Sequence, residues 1–219
     1  MKDYIILAVM LIGLPLLYIV ILQWQKPYFE FEQNRNRKFL LTVPEIVTVL
    51  FGECAVLKIW YEYHGDLLDG YLFGLLYTAL VVMTILCMTD LWERIVPNRV
   101  LLIFLLFGFL ETGFQAVKDI DVVIKMLPSM ILGFLFCLIS FGLVYLFSRG
   151  SLGSGDVKLS LLLGLILTGE YVVGTVFYGC LISALFSVFQ LLRKKLTRKD
   201  EIPFVPFLYI GLIITYFVG

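Results

Sequence analysis

Charge is what this chain has least of. Only 16% of its 219 residues are charged, against about 25% in ordinary soluble domains, while 61% are apolar. Such a chain cannot cover a water-facing surface, so a soluble globular domain is excluded and an integral membrane protein is expected. Basic and acidic residues balance at 17 each, so no net field draws the chain to nucleic acid, and no such partner is expected. Cysteine is scarce as well: Cys54, Cys87, Cys137 and Cys180 stand far apart inside apolar stretches, with no C-x-x-C pair. That argues against a disulfide framework and a zinc site and leaves the four as small core residues. The single histidine, His64, lies in YEYHGDLLDG between two apolar runs and reads as a loop residue. The apolar runs are continuous rather than alternating, which excludes a membrane β-barrel.

What the chain does have is long apolar runs. A helix needs about 20 such residues to cross a bilayer, and eight stretches qualify as candidates: 4–22, 39–60, 71–89, 100–117, 122–147, 157–168, 171–192 and 204–218. The expected fold is an all-α polytopic bundle of about eight spans. The opening run is longer than a signal-peptide core and lacks a basic cluster before it and a small-residue cleavage site after it, so it reads as a span. Pro44, Glu45, Glu53 and Lys58 interrupt the second stretch, which allows it to lie partly along the interface. Thirteen of the seventeen basic residues fall after the first, third, fifth and seventh stretches. The positive-inside rule therefore puts those segments in the cytoplasm and both termini outside.

Two aspartates stand at the ends of these runs. Asp90 closes 71–89 and Asp156 precedes 157–168, with two crossings between them, so both face the cytoplasmic end. The run 157–168 covers only about 18 Å of a core roughly 30 Å thick. This predicts that 151–156 dips into the membrane as irregular backbone lining a polar cavity. Each aspartate alone has a modest explanation: Asp156 as a helix start worth about 1 kcal/mol, Asp90 as an ion-pair partner of Arg94 four residues on. Taken together they suggest a dyad, because two close carboxylates cannot both ionise; one stays protonated while the other acts as base. Such a pair activates water for attack on a peptide carbonyl and predicts a bell-shaped pH profile. Gly153 and Gly155 then let the backbone turn and leave room for an extended peptide.

Three motifs carry a resemblance. TDLWERIVPNR at 89–99 places Pro97-Asn98 seven residues beyond Asp90; GSGDVKLSLLLGL at 153–165 reads as GxGDxKL around Asp156; EIPFVPFLYIG at 201–211 reads as IPFxPF opening the last run. In this order the chain resembles the type IV prepilin peptidases, membrane aspartyl proteases of the GxGD class. The resemblance implies Asp90 and Asp156 as catalytic residues, supported by Gly153, Gly155, Lys158, Pro97, Asn98, Pro203 and Pro206. It implies a prepilin or pilin-like secretion subunit as substrate, whose short basic leader is removed at the cytoplasmic face of the bacterial inner membrane, with no cofactor for the proteolysis. Many members also bind zinc through two C-x-x-C pairs after the first span and methylate the new N-terminus with S-adenosylmethionine. The corresponding segment here, 23–52, has no cysteine, so zinc is not expected and methylation is left open. A two-span region at 1–70 and a peptidase domain at 71–219 follow from this division.

Other charged residues have their own readings. Lys158 either snorkels toward the cytoplasm, tunes Asp156, or holds the substrate backbone. Glu45 and Glu53 face the bundle or a substrate N-terminus, or are wet at the interface. The cluster RKKLTRK at 193–199 anchors a loop against anionic lipid. The competing function is a proton- or cation-coupled transporter using the aspartate pair; no internal repeat between the two halves supports it.

Overall fold

The computed structural model describes residues 12, 43–62, 67–147, 152–193 and 202–218. Among them all regular structure is helical. In chain order the helices are α1 (Val43–Glu62), α2 (Leu67–Glu93), α3 (Asn98–Lys118), α4 (Ile120–Phe147), α5 (Ser154–Ile166), α6 (Gly169–Leu192) and α7 (Val205–Val218). Four of them, α2, α3, α4 and α6, are long and apolar enough to cross a membrane. The first candidate stretch, 4–22, lies outside the described residues.

The helices differ in what surrounds them. Leu75, Leu76, Ala79, Leu80, Met83 and Leu86 of α2 are all buried, which makes it the central helix. By contrast α4 exposes Leu132, Ile139 and Leu146, and α6 exposes Phe177, Leu185 and Val188. Apolar residues all round a helix suit either a protein core or lipid, and these outer faces suit lipid.

Two helices are too short to cross alone: α5 has 13 residues and α7 has 14, about 20 Å each. Their N-termini both start at the end of α2. α5 is drawn against α4 where two glycines meet: a Cβ on Gly133 would come 2.8 Å from the Gly164 carbonyl, and one on Gly164 would come 2.6 Å from that of Gly133. Only hydrogen at both positions permits this approach. α7 packs on α6 through Phe186–Phe207 and Tyr171–Tyr216 ring pairs, with centroids 5.3 and 6.2 Å apart. Tyr209 fastens three helices at once: its hydroxyl donates to the Thr48 carbonyl of α1 at 2.9 Å and accepts from Thr84 of α2 at 3.2 Å. A buried hydroxyl without such partners costs about 1–3 kcal/mol, so this contact sets how α1, α2 and α7 seat together.

The structure corrects two local expectations. Ser154, Gly155 and Asp156 are helical, so 151–156 is not irregular throughout; the helix begins before the apolar run because Gly153 serves as its cap. Arg94 also stands just past the end of the helix rather than on its face, although its charge still acts on Asp90. α2 ends at Glu93, and Arg94 takes the left-handed conformation, φ 57°, while its N–H donates to the Asp90 carbonyl at 3.0 Å. That closes the helix in the manner usually reserved for glycine.

Candidate active site

Asp90 occupies the last turn of α2 and is only 4% exposed. A carboxylate so placed needs donors, and another helix supplies them. Val205, the first residue of α7, donates its backbone N–H to Asp90 Oδ2 at 2.9 Å, and the Phe204 N–H also acts on this carboxyl. The first N–H groups of a helix have no partner within it and carry the positive end of its dipole. Pro203 and Pro206 have no N–H to offer, so in IPFVPF the donors fall to the residues between them.

Asp156 stands in the first turn of α5, outside the four long apolar helices. The Gly153 carbonyl accepts the Asp156 and Val157 N–H groups at 3.1 and 3.4 Å. Burial, and then the negative charge of Asp90, push the Asp156 carboxyl up to about 6. The two acids, from sequence-distant helices, thus lie within electrostatic reach of one another. A pair of carboxyl groups coupled in this way holds one proton between them over a range of pH. It can withdraw a proton from water with one member and donate one to a carbonyl oxygen with the other.

The segment joining α2 to α3 lies across the start of α5. A Cβ on Gly155 would sit 2.8 Å from Val96 Cβ, so glycine is what lets this loop approach. A Cβ on Gly153 would come 3.1 Å from Asp156 Oδ2, so that glycine leaves the carboxyl unobstructed. Pro97 caps α3 with extended backbone, φ −68°, ψ 124°, and its carbonyl accepts the Val100 and Leu101 N–H groups at 3.0 and 3.2 Å. At the rim Lys158 Nζ donates to Asn98 Oδ1 at 3.0 Å. Asp90, Pro97, Asn98, Gly153, Gly155, Asp156, Lys158, Pro203 and Pro206 therefore meet where α2, α3, α5 and α7 begin or end.

Comparison with known proteins bears on this arrangement. The profile described as the type IV leader peptidase family matches residues 77–188, a little over half the chain and a stretch that includes both aspartates. The chain belongs to the type IV leader peptidase family. It is also 29% identical over 156 residues to the prepilin leader peptidase/N-methyltransferase of Bacillus subtilis (strain 168), an alignment covering 68% of this chain. The match spans only 60% of that relative's length. No solved structure matches the chain.

Not every residue singled out in the sequence joins this cluster. Glu53 lies on α1, with Oε1 buried and without a hydrogen-bond partner. The Glu45 side chain, His64 and residues 194–199 of the basic cluster lie outside the described residues; Arg193 stacks its guanidinium on Phe189, 4.2 Å from the ring centroid. Sequence reasoning missed a second polar group, in which Thr78 donates to Glu111 Oε1 at 2.8 Å and the Tyr71 and Thr112 hydroxyls pair at 2.9 Å. An acid inside an apolar run was its signal. Val96 and Val205 gave no signal, because one acts by shape and the other through its backbone.

Proposed function

We propose that this chain is a membrane aspartyl endopeptidase that hydrolyses the leader bond of prepilins or pilin-like secretion subunits at the cytoplasmic face. The observation carrying this reading is that a family-characteristic chain brings Asp90 and Asp156 into electrostatic reach at one end of its bundle. In the reaction one carboxylate takes a proton from water as its oxygen attacks the scissile carbonyl. The protonated partner delivers its proton to the carbonyl oxygen, giving a gem-diol. Collapse breaks the C–N bond: the first acid passes its proton to the leaving amine, and the second recovers one from a diol hydroxyl. Peptide and water become carboxylic acid and amine, and the dyad returns to its starting state.

The positive-inside pattern supports a cytoplasmic position for both acids, where a short basic leader would be presented. The N-methyltransferase named in the relative is an activity of that protein; for this chain no S-adenosylmethionine site is assigned and the proteolysis needs neither that cofactor nor zinc. The test is co-expression with a prepilin in a host lacking such an enzyme, followed by mass analysis of the pilin. Loss of the leader is expected; an intact leader across a panel of prepilins and pilin-like subunits would contradict the reading.

A further inference from the structure

Lys158 is two residues from Asp156, yet its ammonium is turned elsewhere. It donates to Asn98 Oδ1 at 3.0 Å, and the charge acting on Asp156 is that of Asp90. Asn98 is the first residue of α3 and follows the loop that leaves Asp90. The Lys158–Asn98 bond therefore joins the loop after one acid to the helix carrying the other. It works beside a second contact between the same two segments, the packing of Val96 over Gly155. The loop between is only four residues, 94–97: Arg94 is left-handed with its N–H bonded to the Asp90 carbonyl, and the Pro97 ring fixes φ.

We propose that Lys158 and Asn98 form a clamp that sets the separation of Asp90 and Asp156, so that Lys158 is a positioning residue and neither a leader-binding nor a proton-transferring group. The inference rests on the peptidase reading for its catalytic consequence, though the bond itself does not. Errors of about 1 Å in the placement of reacting groups cost on the order of 10²-fold in rate. Releasing one of two contacts should therefore lower kcat by roughly tenfold while leaving KM unchanged, since the clamp does not touch the substrate.

The test is a double-mutant cycle on the full chain in detergent or vesicles, with Asn98→Ala, Lys158→Met and the double variant. Each single is expected to lower kcat at constant KM, and the double to be no worse than the worse single. Asn98→Asp, which keeps an acceptor for the ammonium, should recover most of the kcat lost in Asn98→Ala. A multiplicative double variant overturns the clamp, as does a Lys158→Met defect with Asn98→Ala silent, since the lysine would then act alone; a rise in KM points to leader binding instead. The same cycle read by thermal unfolding needs no substrate. Coupling there is expected even if the chain proves to cleave no prepilin, and its absence overturns the proposal independently of the peptidase reading.

Discussion

Gly155→Ala adds one carbon where the structure has no room. The new Cβ would lie 2.8 Å from Val96 Cβ, 3.3 Å from Val96 Cγ2 and 3.6 Å from the Val96 carbonyl oxygen. Carbon atoms rest at about 3.5–4.0 Å, so the loop must retreat by about 0.7 Å or more. Overpacking of this kind costs about 1–3 kcal/mol, and alanine's better helix propensity returns up to about 1 kcal/mol of it. The net loss of stability should be modest, about 0–3 kcal/mol. The larger effect is on rate: the loop that recedes is the one leaving Asp90, and a shift approaching 1 Å predicts a fall in kcat of about tenfold to 10²-fold. Val96→Ala should not rescue, because it removes Cγ2 but keeps the nearer Cβ. Leader cleavage under single-turnover conditions, with thermal unfolding alongside, reads both quantities. Wild-type kcat in a folded Gly155→Ala variant would refute the reasoning.

Two further outcomes follow from the same geometry. Burial and Asp90 raise the Asp156 carboxyl to about 6, so its proton persists to higher pH than in an ordinary aspartate. If Asp156 supplies that proton, cleavage falls as pH rises through the region of about 6, and a flat profile from mildly acidic to neutral pH contradicts this. Tyr209→Phe removes the hydroxyl shared by Thr48 and Thr84 and should cost about 1 kcal/mol, seen as a lower Tm; an unchanged Tm would show that the hydroxyl does not hold α1 to α2 and α7.

Much of the bundle was legible because a membrane imposes a length rule. The runs 71–89, 100–117, 122–147 and 171–192 lie within the four long helices, since continuous hydrophobicity alone marks a span. The ends were less legible. Hydropathy begins at Val157, but the helix begins at Ser154, because backbone hydrogen bonding to the Gly153 carbonyl decides the start and apolar character does not. Asp90 and Asp156 could be found because a charge in an oily chain is costly enough to stand out. Their surroundings could not: the Val205 N–H that meets Asp90 belongs to every residue type but proline, and Val96 over Gly155 is a matter of shape. Arg94 was legible as a charge acting on Asp90 but not in its backbone position. Spacing of four predicts a shared helix face only while the helix continues, and here it stops one residue earlier.

The central claim is that Asp90 and Asp156 are the acids that cut. The most direct measurement compares wild type with Asp90→Asn and Asp156→Asn on one prepilin under single-turnover conditions, with thermal unfolding confirming that each variant is folded. Removing either acid should lower the cleavage rate by about 10³-fold with the substrate still bound. A folded variant of either kind that cleaves at the wild-type rate would contradict the dyad.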